Sequence, residues 1–246
     1  MARRLFFAEP LPAASPPQAV VRGPEARHLT QVLRARPGMR MELSAGGDRF
    51  LAAVARVEAG AVIFDLLQPL APAAAPLGPR VIAAIFKFDR FEWMLEKATE
   101  LGVAEIQPLA AARTDPRLAR AAAGRQERWR RILQSAAQQS RRAEIPRLRP
   151  PAVWSDLAAE PPAEPGEARL LLSEDPAASP LASRLAAPLP RLITLAIGPE
   201  GGWTEADSAA AGGLGFVPVS LGPRILRAET AALAALAYVL AVAPWP

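Results

Sequence analysis

The sequence predicts two domains of different texture, a small β-barrel followed by an α/β domain with a largely parallel sheet. Three observations carry this expectation. Residues 68–79 are too rich in proline to continue a helix or a central strand, which divides the chain into residues 1–72 and 73–246. Ahead of that segment, short apolar runs are separated by glycine-bearing turns. Behind it, strand-like runs alternate with segments of helical periodicity.

In the first part, residues 40–43, 50–57 and 61–67 read as strands joined through Gly46-Gly47-Asp48 and Glu58-Ala59-Gly60. A short helical stretch at residues 25–33 carries His28, the single histidine. In the second part, residues 81–86 read as a strand. A helix follows over residues 89–101, where Phe91, Met94, Leu95, Ala98 and Leu101 keep helical spacing and Gly102 supplies the stop. Residues 103–109 form the next strand. A long helix is expected from about residue 125 to 142, with Trp129, Ile132, Leu133, Ala136 and Ala137 on one face. Strands at 170–172, 192–197 and 216–219 each end in a loop rich in glycine or proline. Ligands of such sheets bind outside the carboxyl ends of the strands, so these loops are where a site is expected.

Composition excludes several classes of chemistry. The chain has no cysteine and one histidine, which removes disulfide frameworks, thiol nucleophiles, cysteine-based metal sites and a histidine-rich metal centre. Its longest apolar stretch, residues 231–243, is short of the roughly 20 residues that span a bilayer. The apolar start at Leu5-Phe6-Phe7 is too brief for a signal peptide, so a cytoplasmic protein is expected. Charge is uneven along the chain. Eleven arginines between residues 113 and 149 face three acidic residues, whereas residues 151–246 hold five basic and ten acidic side chains. That is the footprint of a polyanion-binding segment, although an arginine-rich solvated helix face has the same composition.

Neither the phosphate-binding pattern G-x-x-x-x-G-K-[ST] nor G-x-G-x-x-G at a strand-to-helix turn is present. Two other loops stand out. Ile197-Gly198-Pro199-Glu200-Gly201-Gly202-Trp203 leaves a strand, and Thr204-Glu205-Ala206-Asp207 then opens a helix with a capping sequence. Three glycines let backbone approach a ligand closely, whereas a tight turn alone accounts for one. The second loop, Leu221-Gly222-Pro223-Arg224-Ile225-Leu226-Arg227-Ala228-Glu229, runs into an otherwise apolar helix. A charged pair beside a buried segment needs a partner or a ligand. A surface pair between Arg227 and Glu229 fits the spacing equally well.

These two loops together resemble the RsmE family of bacterial rRNA methyltransferases, within the SPOUT superfamily. Phe88-Asp89-Arg90-Phe91-Glu92-Trp93 and the residues on to Val103, Arg128-Trp129 through Ser140, Arg4-Leu5-Phe6-Phe7 and residues 28–34 are similar to the same family, so the likeness covers nearly the whole chain. Three segments depart from it. Phe88 and Arg141 stand where the family usually has glycine, and Ala111-Ala112-Arg113 replaces Ser-Glu-Arg.

The resemblance implies a PUA-like barrel for RNA and a SPOUT α/β domain whose C-terminal part is a deep trefoil knot holding S-adenosylmethionine. It implies a homodimer that methylates N3 of a uridine in 16S rRNA, near the decoding centre of the small ribosomal subunit. Leu172, Ile197, Gly198, Gly201, Gly202, Leu221, Gly222 and Leu226 would then bind the cofactor. Arg227 is the candidate to stabilise the imidate anion of the uracil, Glu229 to accept the proton or orient the arginine, and Glu200 to face the sulfonium or the helix opening at Thr204. Arg3, Arg4, His28, Arg34, Arg36, Arg113, Arg141 and Arg142 are candidate RNA contacts. No metal is needed for this displacement. A catalytically silent RNA-binding or ribosome-assembly protein, and a methyltransferase acting on tRNA ribose 2′-OH, are the competing readings.

Overall fold

A computed structural model describes residues 5–11, 15–70, 78–159, 166–185 and 189–242. The chain divides into two compact units, Met1–Ala74 with Ala137–Ile145, and Ala75–Ala136 with Pro146–Pro246.

The first unit is a closed barrel of β1 (Phe6–Leu11), β2 (Gln18–Arg22), β5 (Ala61–Pro69), β4 (Asp48–Glu58) and β3 (Arg40–Ala45) in that order. All pairings are antiparallel except that of β1 with β3, which closes the ring. Closure removes the open edges that a five-stranded sheet would otherwise expose. Alternate residues point inward, so Phe6, Val21, Leu43, Ala52, Val54, Val62 and Phe64 share one core with Leu29. The helical stretch read from the sequence is α1 (Gly23–Arg27) continued by a π-helical turn, His28–Val32. Strands β1 and β2 escape a pattern reading because Pro10 breaks one and the other is only five residues long.

Residues 137–145 belong with the barrel for identifiable reasons. The Leu5 amide donates to the Gln138 carbonyl (3.1 Å) and the Ser44 hydroxyl to the Ala143 carbonyl (2.6 Å). Arg141 pairs with Glu42, which also accepts from Arg49 (2.6 Å). The hydrogen bond from Arg141, helped by Arg49, holds the Glu42 carboxyl below its ordinary range against the opposing effect of burial. Arg141 has φ 61°, the left-handed conformation that glycine adopts freely and that few other residues adopt. An arginine therefore occupies a glycine-type position, and its ion pair with Glu42 offsets part of that cost.

The second unit is built on seven parallel strands in the order β10 (Ser179–Pro180), β12 (Val217–Ser220), β9 (Glu167–Leu172), β11 (Leu192–Ile197), β6 (Arg80–Ala84), β7 (Glu105–Leu109), β8 (Arg147–Leu148). Both faces are covered, as a parallel sheet requires. Val81, Ala83, Leu170, Ile193 and Leu195 face α2 (Phe88–Glu100), α3 (Pro116–Gln139) and α7 (Ala228–Val242) through Phe91, Leu95, Trp129, Leu133 and Leu236. Ile82, Ala84, Leu171 and Ala196 face α4 (Trp154–Ala158) and α6 (Glu205–Gly213) through Trp154, Leu157 and Ala211. A further short helix, α5 (Leu181–Arg184), follows β10.

Helix α3 differs from its sequence reading, starting nine residues earlier and stopping at Gln139. The Asp115 carboxylate accepts from the Arg117 amide (2.8 Å), and Pro116 suits a first helical position, which together start the helix ahead of its apolar face. The left-handed Arg141 then ends it. Phe88, in place of glycine, packs edge-on to Trp129 (centroids 5.8 Å) and lies under the Arg125 guanidinium (4.7 Å).

Candidate active site

Strands β12, β9 and β11 are neighbours in the sheet, so their carboxyl ends lie side by side. The segments that leave them enclose a cleft of about 1090 Å³, at the upper limit of the roughly 300–1,000 Å³ usual for small-molecule sites. Its walls are residues 172–175 after β9, 197–205 after β11 and 220–228 leading into α7, joined by Arg90 and Arg113. Leu172, Ile197, Gly198, Gly201, Gly202, Leu221, Gly222 and Leu226 all line this single cleft, as do Glu200 and Arg227.

The glycine-rich loop is held by contacts that crowd a side chain at Gly198 and by a turn that disfavours one at Gly202. A Cβ on Gly198 would stand 3.2 Å from Cε2 and 3.3 Å from Nε1 of Trp203. That indole cannot readily move, because its Nε1–H donates to the Leu172 carbonyl (2.9 Å) and its ring packs on Trp154 (5.6 Å). Trp203 is therefore part of the cleft's framework, tying the β9 and β11 ends together. Gly202 has φ 71° and donates to the Pro199 carbonyl (2.9 Å), closing a turn that a side chain would strain. The Arg113 guanidinium donates to the Gly201 carbonyl (2.6 Å), so this candidate RNA contact is engaged at the cleft.

Behind the loop, Thr204 caps α6 and Asp207 returns the interaction, as the capping sequence predicts. Asp207 is 3% exposed and accepts from the Thr204 amide (3.0 Å) and hydroxyl (2.7 Å), the Ala112 amide (3.2 Å) and the Trp154 indole (3.0 Å). Burial alone would raise its carboxyl, but these four donors together hold it below the usual range. The stability this adds is fully present above the unfolded value of about 3.9 and is lost as pH falls through the lower folded value. Asp207→Asn is expected to lose about 1.5–3 kcal/mol at neutral pH. Its melting curve should converge with that of the native protein in acid, as scanning calorimetry across that range would show.

The charged residues differ from the simplest sequence pairing. Arg227 is exposed on the cleft wall, and its guanidinium has no hydrogen bond or ion pair among the described residues. Glu229 does not line the cleft. Its side chain is 8% exposed, Oε1 lies 3.8 Å from Nε of Arg90, and Oε2 is buried with no hydrogen-bond partner among the described residues. Glu200 meets the same Arg90 at 2.9 Å. The partner of both glutamates is thus an arginine from α2, whose role no local pattern reveals because it lies 110 residues from Glu200.

The RNA-contact candidates are spread over the two units. Arg3 and Arg4 lie outside the described residues. In the barrel unit, Arg34 and Arg36 are exposed, His28 is half-buried against Phe6 (centroids 6.1 Å), and Arg141 is paired as above. Arg142 is half-buried, and that burial lowers its affinity for a proton against the opposing charge of Glu144. The excess of arginine at residues 113–149 is smaller in three dimensions than in sequence. Glu92 pairs with Arg125 and Arg128, Glu105 with Arg147 and Arg149, and Glu42 with Arg141.

A family model for an RNA methyltransferase domain matches residues 75–240. The chain is 35% identical over 248 residues to ribosomal RNA small subunit methyltransferase E of Mycobacterium bovis, covering 97% of this chain and 92% of that protein. The chain belongs to the RsmE family. The Synechocystis member is 40% identical over 169 residues, which is 68% of this chain and 54% of that protein. The crystal structure of the Neisseria gonorrhoeae RsmE protein, bound to S-adenosylmethionine, superposes with a TM-score of 0.83 at 32% identity and covers 98% of both chains. The barrel and parallel α/β sheet described above are accordingly the fold of RsmE and SPOUT methyltransferases.

Proposed function

We propose that the protein is an S-adenosylmethionine-dependent methyltransferase of 16S rRNA that modifies N3 of a uridine in the decoding region of the small ribosomal subunit. Membership of the RsmE family supports the reaction class. The observation that carries the assignment to this chain is the cleft itself, where three adjacent strand ends bring every expected cofactor residue together beside Arg227, which has no ion-pair partner among the described residues. In this reading residues 73–246 are the methyltransferase domain, with the knotted C-terminal part that the resemblance implies, and residues 1–72 are a PUA-like RNA-binding domain. The protein would act in the cytoplasm, where ribosomal subunits are.

The cleft fits such a cofactor. Leu172, Ile197, Leu221 and Leu226 offer apolar surface, and the glycine loop offers main-chain donors and acceptors without side chains. S-adenosylmethionine, when bound, supplies a methyl group already activated by the adjacent sulfonium charge. The protein's task is then to make uracil N3 nucleophilic. Arg227 stabilises the imidate that remains when the N3 proton passes to water, and its charge counts for more at a partly dry wall than in bulk solvent. Glu229, buried behind the cleft, takes no proton from the substrate in this scheme and acts through Arg90. Incubation with S-adenosylmethionine carrying a labelled methyl group should label small-subunit rRNA. Label in tRNA alone, or in no RNA, would favour one of the competing readings.

RNA is held in part by the barrel's exposed arginines. Arg34 and Arg36 have no ion-pair partners among the described residues, unlike Arg141. Replacing both with alanine is expected to reduce the slope of log affinity against log salt by about 1–2, since each phosphate contact contributes about 0.7–0.9. An unchanged slope in filter-binding titrations would show that these side chains are only solvated.

A homodimer accounts for the last helix. Along α7, Ala232, Ala235, Leu236 and Val239 are buried, while Ala237 and Ala241 are exposed on an almost wholly apolar helix. Ile225 nearby is 81% exposed. A second copy would cover that surface. Sedimentation at micromolar concentration should give a dimer, and a monomer there would remove this element of the proposal.

A further inference from the structure

We propose that Arg90 is a positioning residue for methyl transfer, a strut that fixes Arg227 by joining the glycine-rich loop to the first turn of α7. The inference rests on the reaction proposed above. Arg90 sits in the opening turn of α2 and lines the cleft. Its Nη1 donates to Glu200 in the glycine-rich loop at 2.9 Å, and its Nε lies 3.8 Å from Glu229. One guanidinium therefore spans two carboxylates, one from the glycine-rich loop and one from the first turn of α7.

The two ends of the strut are unequal, and that decides what it does. Glu200 is 42% exposed, so its bond to Arg90 competes with water and is weak alone. Glu229 is 8% exposed and one of its oxygens has no partner among the described residues, so Arg90 is the cation facing a buried carboxylate. Removing that cation leaves an uncompensated charge, and the helix turn carrying it must shift toward water. Arg227 lies two residues before Glu229, and its carbonyl accepts from the Ala231 amide (2.8 Å) within the same turn. A shift of that turn moves Arg227 directly. Arg90 itself is flanked by negative charge, so it is poorly suited to hold a phosphate or a uracil anion, which distinguishes it from Arg227, a residue with no ion-pair partner among the described residues.

The test is a double-mutant cycle read in single-turnover methyl transfer at saturating S-adenosylmethionine and RNA, with Tm recorded for every variant. Arg90→Ala and Glu229→Gln should each slow transfer about 10- to 100-fold, because misplacement by about 1 Å costs on that order. The double variant, which contains no unpaired buried charge, should be no slower than the slower single variant. Arg90→Lys should recover part of the rate, since an ammonium keeps the charge but cannot span two carboxylates. In an Arg227→Ala background, Arg90→Ala should slow transfer by less than about twofold. Multiplicative losses in the double variant, or an undiminished effect of Arg90→Ala without Arg227, would overturn the proposal. A native protein that methylates no rRNA would overturn the underlying reaction, and is told apart from failure of the strut, in which native protein is active and Arg90→Ala equally fast.

Discussion

Arg227→Ala is expected to slow single-turnover methyl transfer by about 100- to 1,000-fold at neutral pH, the usual cost of deleting one preorganised charge-stabilising group. Cofactor affinity should change by less than about threefold, because the lost interaction is strongest once the imidate has formed. Arg227 is on the cleft wall without an ion-pair partner among the described residues, so its full charge is available to the substrate. The pH dependence follows from the role. Alkaline solution supplies the N3 anion without help, so the variant should recover part of its rate as pH rises. A rate ratio to native protein that stays constant with pH would assign Arg227 to positioning the base. A normal rate at neutral pH would remove it from the site.

Gly198→Val is expected to weaken S-adenosylmethionine binding by about 10- to 100-fold, corresponding to about 1–3 kcal/mol of overpacking. The first added carbon already stands 3.2 Å from the Trp203 indole, which is fixed by its bond to Leu172 and by Trp154. Displacing the indole separates the ends of β9 and β11, two of the three strands whose loops enclose the cleft. Gly212→Ala is the matched control, since a Cβ there meets nothing within 4 Å. Calorimetry should show unchanged binding for the control and weak binding for Gly198→Val, each with a native circular dichroism spectrum. Native affinity in a folded Gly198→Val protein would place the cofactor elsewhere.

The sequence made the cleft legible because its walls are local motifs at strand ends. Gly198, Gly201 and Gly202 leave β11, and Gly222 to Arg227 leave β12, so periodicity and glycine placement put each loop at a strand end, while their pairing in one site comes from the family resemblance. Thr204 and Asp207 were legible as a helix start for the same reason, their spacing being set by one helical turn. The charges were not. Glu229 reads naturally against its near neighbour Arg227, but helix α7 turns its side chain inward to Arg90, a choice made by tertiary packing of α2 on α7. A local count of the arginine-rich segment likewise omits Glu42, Glu92 and Glu105, which come from distant elements and pair with some of its arginines. The early start of α3 was visible in Asp115-Pro116, a polar cap before proline, which apolar periodicity alone passes over.

Nucleoside mass spectrometry of small-subunit rRNA, before and after treatment with the protein and S-adenosylmethionine, reports directly which atom of which nucleoside receives the methyl group. A new N3-methyluridine is expected, absent when the cofactor is omitted and strongly reduced with Arg227→Ala. A methyl group on a ribose 2′-OH, or rRNA unchanged by a protein shown to bind the cofactor, would contradict the proposed reaction.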